Sequence, residues 1–175
     1  MTEFSTMRAP QRWIAVQRMV VGVWFSKSIL TKITIVLAGG FFPVPAASGR
    51  WQGVMPKLIA KYAADNPFPW YKSFLLDTVV PNSHLFATLT ALGEVGVGLS
   101  LLFGLLTPLG VSFGLLQVMF YGMAVQQQSS GQLGFHVMLF VMMLTFLFAR
   151  AGRHWGIDGW LREKYPASRL VQLLT

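Results

Sequence analysis

Long apolar stretches joined by short polar segments dominate this chain. They lie at about residues 13–37, 85–106, 109–125 and 133–149, and no charged residue occurs between Val95 and Ala149. A helix that crosses a bilayer needs about 20 consecutive, mainly apolar residues. The pattern therefore predicts an all-α fold, a four-transmembrane-helix bundle that forms a single integral membrane domain over residues 1–175.

The connection between the first two predicted spans, about residues 38–83, is too polar and too rich in proline to cross a membrane. Within it, the segment Trp51–Ala64 places apolar residues at helical spacing and Lys57 and Lys61 on another face, which is typical of a helix on a membrane surface. The segment Asn66–Val80 is rich in aromatic residues, which favour the membrane interface. We expect one or two short amphipathic interfacial helices in this long outer connection.

Composition supports a membrane protein and excludes several kinds of chemistry. Apolar residues make up 54% of the chain and charged residues 11%, with a mean hydropathy of +0.54, whereas soluble domains contain about 25% charged residues. The net charge of +8 comes from basic residues that flank the apolar stretches, so we expect no nucleic acid partner. Because the chain has no cysteine, disulfides, thiolate catalysis and cysteine-ligated zinc or iron–sulfur clusters are excluded.

The distribution of basic residues predicts the topology. The two tails carry more arginine and lysine than the long connection does. By the positive-inside rule, both termini are expected in the cytoplasm and the connection outside, in a prokaryotic-type cytoplasmic membrane. In the first predicted span, Arg18 and Lys32 lie near the two ends and are expected to extend to opposite interfaces.

The residue of greatest chemical interest is Glu94, which lies near the middle of the apolar stretch 85–106 beside Gly93, Gly96 and Gly98. A charge at that depth costs about 2.5 kcal/mol or more, so it normally faces protein or water and has a partner. The glycines allow another helix to approach closely and supply that partner. We expect the partner to be Lys27, which lies about as far from the outer end of its own span.

Two interpretations of the Glu94–Lys27 pair follow. In the first, the two residues are catalytic, as a proton-accepting or quinone-contacting pair below the outer face, because intramembrane ionisable residues are commonly functional. In the second, they form a buried ion pair that only fixes helix register.

Two histidines and two aromatic residues are candidates for binding quinone or another cofactor. His84 and His136 fall near the outer interface, and both are able to hydrogen-bond a quinone head group. His136 is also a candidate ligand for haem, chlorophyll or a metal, although the sequence favours an ordinary interhelical hydrogen bond over any cofactor role. Trp70 and Tyr71 either cover a quinone pocket or act as interfacial anchors. The histidines lack metal-ligand spacing, so no metal site is predicted.

Four segments together resemble the DoxX/DoxD family of small four-helix membrane proteins. They are the pattern Arg18…Gly22…Lys32, the run Asn66–Asn82, the glycine-rich run Ala91–Pro108 with its glutamate, and the tail Ala151–Leu161. The resemblance covers most of the chain. It implies a four-helix bundle, and for DoxD-type members a subunit of a thiosulfate:quinone oxidoreductase.

The resemblance leaves two functions open. One is a quinone-associated subunit of a redox complex, in which a partner supplies the redox centre or quinone reacts directly, since the sequence has no flavin, haem or iron–sulfur motif. The other is a non-catalytic accessory subunit that stabilises a larger respiratory or photosynthetic membrane complex. The resemblance also marks Arg153 and Asp158, which we interpret as a structural ion pair after the last span.

Overall fold

The computed structural model describes residues 10–175, which are mainly helical. In chain order the α-helices and strands are α1 (Pro10–Ser26), α2 (Ser28–Thr31), β1 (Ile33–Ala38), β2 (Phe42–Ala47), α3 (Gly49–Ala64), α4 (Pro69–Ser73), α5 (Ser83–Phe103), α6 (Thr107–Val125), α7 (Ser130–Phe148), α8 (Ile157–Lys164) and α9 (Arg169–Leu174). A π-helical turn, Phe74–Val79, follows α4, and a 3-10 turn, Ala151–Arg153, follows α7.

Three helices in the described part of the chain, α5, α6 and α7, are long and apolar enough to cross a membrane. They have 21, 19 and 19 residues, which correspond to about 30 Å of helix at 1.5 Å per residue. The predicted spans at 85–106, 109–125 and 133–149 are therefore confirmed as apolar helices, with ends shifted by a few residues. They indicate a membrane protein.

The prediction of a fourth span at 13–37 is wrong. Helix α1 ends at Ser26, and residues 33–38 form strand β1 instead. The β-branched run Ile33–Val36 favours a strand, and Gly39 and Gly40 adopt positive φ angles of 63° and 86°, which glycine tolerates in a tight turn. The chain therefore reverses into β2, and a two-stranded antiparallel hairpin replaces the end of the predicted helix.

The helix predicted at Trp51–Ala64 is present as α3. Its N-cap is Ser48, whose hydroxyl accepts a hydrogen bond from the Trp51 N–H at 3.3 Å and so satisfies one of the free N–H groups at the helix start. The aromatic segment that follows forms α4 and the π-helical turn. The long connection is thus structured throughout, with the hairpin as its unpredicted element.

The described chain divides into two compact units. The first, which we call the Arg18 unit, comprises residues 10–26, 96–116 and 140–175. In it Arg18, expected to extend to an interface, is completely buried. Its guanidinium donates to the carbonyl of Leu101 and, at 3.1 Å, to that of Trp155. Because Leu101 lies near the end of α5, the arginine complements free carbonyls at a helix C-terminus.

The second unit, the Glu94 unit, comprises Lys27–Val95 and Gln117–Leu139. Its core joins the base of the hairpin, α3, α4 and the adjoining parts of α5 and α6; the buried side chains are Ala47, Met55, Ala63, Tyr71, Leu75, Val79, Ala87, Ala91, Ala124 and Val125. Many of these residues are alanine, which allows the elements to approach closely. This unit contains the candidate site.

Candidate functional site

Glu94 is buried near the middle of α5, with 6% of its surface exposed. The ammonium nitrogen of Lys32 lies 2.7 Å from its Oε1 and 2.8 Å from its Oε2. The Tyr121 hydroxyl donates to Oε1 at 2.8 Å, and the Ser28 hydroxyl donates to Oε2. We call these four residues the Glu94 cluster. All of them belong to the Glu94 unit.

The break between α1 and the hairpin brings Ser28 and Lys32 to the carboxylate. Ser28 begins the single turn α2, and Lys32 follows its last residue, with its N–H bonded to the Ser28 carbonyl at 2.8 Å. Residues four apart on a helical turn lie on the same face. Both side chains therefore reach Glu94 from one side, while Tyr121 approaches it from α6.

This geometry corrects the expected partner of Glu94. The sequence paired the carboxylate with Lys27, but the ion pair in the structure is formed by Lys32, which was expected at an interface. Lys27 itself is exposed and lies between α1 and α2. A continuous helix would carry the two lysines on different faces, since five residues turn it by about 500°; the end of α2 at Thr31 releases Lys32 toward Glu94. The catalytic role of Glu94 and Lys27 stays a prediction.

An aromatic ring covers the ion pair. The Lys32 nitrogen lies 4.1 Å from the ring centroid of Trp51, close enough for a cation–π interaction. The Trp51 indole N–H donates to the carbonyl of Ala87 at 3.1 Å, which fixes the ring against α5. Lys32 retains 19% exposure of its side chain, so the ion pair is shielded yet accessible through the lysine.

A second polar pair lies one helical turn from the cluster. The side-chain N–H of Gln117 donates to the Thr90 carbonyl at 3.3 Å, but its buried Oε1 has no hydrogen-bond partner among residues 10–175. Gly93 makes room for it, since a Cβ there would lie 2.7 Å from Gln117 Nε2. A buried acceptor without a donor costs about 1–3 kcal/mol. It is therefore a position that a hydroxyl or a water would satisfy.

The cluster can hold and exchange a proton. A carboxylate offers about four acceptor positions, and here two are taken by Lys32, one by Tyr121 and one by Ser28. Three of the four groups also carry transferable protons. The sequence contains an unused signal for Tyr121. Thr90 and Glu94 lie four residues apart, as do Gln117 and Tyr121, so each pair shares one helix face.

The side chains of the two candidate histidines are not part of the Glu94 cluster. His84 is exposed at the start of α5. His136 is half-buried, and its Nδ1 donates to the Gln132 carbonyl of its own helix at 2.8 Å. No group of three or more His, Cys, Asp or Glu side chains in the described residues is placed to hold a metal. The predicted quinone-binding roles of both histidines remain untested by this geometry.

The two candidate aromatics differ in their surroundings. Trp70 is exposed, whereas Tyr71 is only 2% exposed and donates through its hydroxyl to the Phe120 carbonyl at 2.7 Å. Burial raises the pKa of Tyr71 to about 12. Tyr71 thus ties α4 to α6 within the Glu94 unit, and Trp70 has the exposure expected of an interfacial anchor.

Arg153 and Asp158 hydrogen-bond other groups and not each other. The buried carboxylate of Asp158 accepts from the N–H groups of Leu106 at 2.7 Å and Thr107 at 2.9 Å, which caps the start of α6. Arg153 donates to the backbone oxygen of Thr175 at 2.9 Å. Each residue therefore stabilises the chain near its C-terminal tail, but through hydrogen bonds to backbone groups and not through the predicted ion pair. Desolvation, followed by the charges of Arg162 and Arg150, lowers the pKa of Arg153.

Comparison with known proteins gives no relative of this chain: no family model, curated protein or solved structure matches it.

Proposed function

We propose that this chain is a quinone-associated membrane subunit of a redox complex, of the kind that the DoxX/DoxD resemblance implies. The observation that supports the proposal is the Glu94 cluster, in which a buried acid within an apolar helix long enough to cross a membrane is bonded to proton-carrying partners. Ionisable groups at such positions are costly to insert and commonly serve a function.

The side chains around Glu94 fit a quinone. The oxygens of a quinone accept hydrogen bonds, and those of a quinol also donate them. Lys32 has three N–H donors, of which Glu94 uses two, and Gln117 Oε1 is an acceptor to which no group in residues 10–175 donates. When bound, a quinone supplies two-electron, two-proton chemistry. Glu94 and Tyr121 would then hold and pass the protons, with Lys32 keeping the carboxylate in place.

The electrons are proposed to come from a partner subunit. The resemblance implies a small reduced sulfur compound such as thiosulfate as the donor, and reduction of quinone to quinol requires two electrons and two protons. We propose that the long connection containing the hairpin faces the outside of a prokaryotic cytoplasmic membrane and that the termini face the cytoplasm. In this arrangement His84, His136, Trp70 and Lys27 remain candidates for further quinone contacts.

A second candidate function is a non-catalytic accessory subunit of a larger respiratory or photosynthetic complex. One observation favours it: every acceptor position of the Glu94 carboxylate is already filled by the protein. A carboxylate with all its acceptor positions filled also holds α2 and α6 against α5 through its hydrogen bonds. The two functions differ in whether the charge of Glu94 is needed for turnover or only for assembly.

The deciding experiment compares Glu94→Gln with wild type in the complex purified through a tag on this chain. Glu163→Gln is the matched control, because Glu163 is an exposed glutamate on α8. We expect Glu94→Gln to co-purify with the same partners while quinone reduction falls at least tenfold, and Glu163→Gln to retain full turnover. Unchanged turnover in an intact Glu94→Gln complex would exclude the catalytic proposal and leave the accessory one.

A further inference from the structure

The β1–β2 hairpin is an uncharged, apolar element that the described chain leaves largely uncovered. No charged residue lies between Lys32 and Arg50. Ile33 and Ala47 at its base contact the core of the Glu94 unit, but Ile35, Leu37 and Phe42 are each more than 60% exposed. In a membrane protein, apolar surface of this kind contacts lipid or another protein.

The base of the hairpin lies beside a candidate membrane span. Lys32, which precedes β1, bonds Glu94, and Trp51, which follows β2, bonds the Ala87 carbonyl. Measured along α5 from Ser83 at 1.5 Å per residue, Glu94 lies about 16 Å and Ala87 about 6 Å into the helix. Lipid cannot satisfy the free backbone groups of a sheet edge in the hydrocarbon layer, where each costs several kcal/mol. Wherever the strand edge meets the hydrocarbon layer, protein must therefore supply the partners of its free groups.

Prolines determine which edge is open. In an antiparallel pair, alternate residue pairs exchange N–H···O=C bonds. Pro43 and Pro45, which pair with Leu37 and Ile35, have no N–H. The residue pairs that exchange hydrogen bonds are therefore the alternate ones, such as Val36 with Val44. The Ser48 N–H bond to the Lys32 carbonyl at 2.8 Å follows the same alternation.

The outward-facing groups of the two strands consequently differ. On β2, two of the outward positions are the prolines, which cannot donate to an added strand. By the same alternation, the N–H groups of Ile33, Ile35 and Leu37 on β1 face away from β2, and no backbone carbonyl outside the hairpin within residues 10–175 accepts from them. The carbonyl of Leu37 accepts from the Gly40 N–H at 3.3 Å, which leaves the remaining outward groups of β1 available. One edge is open and the other is blocked.

We propose that the open edge of β1 binds the β1 edge of a second copy of this chain. With the two strands antiparallel, Ile35 pairs with Ile35 of the other copy, and Ile33 pairs with Leu37, so that all three outward N–H groups face the second strand. The strand Ile33–Ala38 carries no charge, and hence no like charges oppose each other in this register.

A second copy suits this edge better than an unrelated strand for two reasons. Each chain supplies an uncharged extended segment of the same length and the same pattern of free groups, as a two-fold symmetric contact requires. In addition, Pro43 and Pro45 block the outer edges of the resulting four-stranded sheet. Assembly therefore stops at two copies and does not continue into a filament.

Cysteine cross-linking tests this proposal directly, because the chain has no cysteine of its own. Ile35→Cys places two thiols across the two-fold axis at a Cα separation of about 5.5 Å, within the range for a disulfide. Val44→Cys on β2, also exposed, is the control. In oxidised native membranes we expect a disulfide-linked dimer from Ile35→Cys and none from Val44→Cys. Equal dimer yields, or cross-linking of Ile35→Cys to another protein, would overturn the proposal.

A backbone variant provides a second test. Ile35→Pro removes an outward N–H. Because that N–H does not bond β2, the substitution leaves the hydrogen bonds within the hairpin intact. Ile35→Val keeps the N–H. We expect native mass spectrometry from nanodiscs to show dimers for wild type and Ile35→Val and monomers for Ile35→Pro. A monomeric wild type, or a dimer that survives Ile35→Pro, would contradict pairing through this edge.

Discussion

Lys32 and Glu94 are 62 residues apart in the chain, yet the lysine nitrogen lies 2.7 Å and 2.8 Å from the two carboxylate oxygens. The contact fixes the start of the hairpin against α5. It also gives a buried acid on an apolar helix the positive partner that such a position requires. Both the proposed chemistry and the stability of the Glu94 unit depend on this pair.

Removing the charge of Glu94 should destabilise the protein. Glu94→Gln leaves the Lys32 ammonium without its counter-charge, and we expect a loss of about 2 kcal/mol, less than the roughly 3–5 kcal/mol of a fully buried pair because Lys32 is partly exposed. The double variant Lys32→Met with Glu94→Gln should be more stable than Glu94→Gln alone. Thermal unfolding in nanodiscs measures both, with Glu163→Gln as the control. A double variant that is no more stable than Glu94→Gln alone would contradict the coupling of the pair.

Tyr121 should contribute through its hydroxyl. Tyr121→Phe removes the donor that lies 2.8 Å from Glu94 Oε1, and a hydrogen bond to a charged group contributes about 1.5–3 kcal/mol. We therefore expect a lower unfolding temperature for Tyr121→Phe. The same substitution at Tyr165, which is 47% exposed, should change the temperature little. Equal unfolding temperatures for the two variants would show that the Tyr121–Glu94 hydrogen bond does not stabilise the protein.

Two glycines on α5 should respond in opposite ways to alanine. A Cβ at Gly98 would lie 2.6 Å from the backbone nitrogen of Ser26, whereas a Cβ at Gly96 would meet nothing within 4 Å. We expect Gly98→Ala to destabilise by about 1–3 kcal/mol through overpacking. Gly96→Ala should be neutral or stabilising by up to about 1 kcal/mol, because alanine favours helix. Similar unfolding curves for the two variants would contradict the close approach of α1 to Gly98.

Tyr71 should make stability fall at high pH. Burial raises its pKa from 10.0 to about 12, so the folded state holds the phenolic proton more tightly than the unfolded state does. The resulting stabilisation is complete below pH 10 and is lost as the pH rises toward 12; two pKa units correspond to roughly 2–3 kcal/mol. The unfolding free energy of Tyr71→Phe should lack this component between pH 10 and 12. Parallel pH profiles for variant and wild type would disprove it.

The sequence predicted the parts of the fold that depend on uninterrupted patterns. The three apolar helices and the amphipathic helix at Trp51–Ala64 follow from length and periodicity. The hairpin was not predicted because a continuous apolar run such as Ile33–Leu37 is compatible with either a helix or a strand. Hydropathy alone cannot distinguish the two. What decides is the β-branched run together with the Gly39-Gly40 turn and the prolines after it.

Glu94 was recognisable from the sequence because a single acid in an apolar helix is conspicuous. Its partners were not. Lys32 reaches it only because α2 ends at Thr31, and Ser28 and Tyr121 come from elements whose contacts depend on tertiary packing. Arg18 shows the same limit: its position near a predicted interface suggested exposure, while its burial depends on carbonyl groups supplied by α5 and by Trp155.

The central claim, that the Glu94 cluster contacts quinone, is tested most directly by binding. A short-chain quinone is titrated into the chain in nanodiscs, and quenching of Trp51 fluorescence, isolated by comparison with Trp51→Phe, reports occupancy beside Lys32. We predict saturable quenching in wild type and Glu163→Gln, and at least tenfold weaker binding in Glu94→Gln. No saturable quenching in wild type, or the same affinity in Glu94→Gln, would contradict the claim.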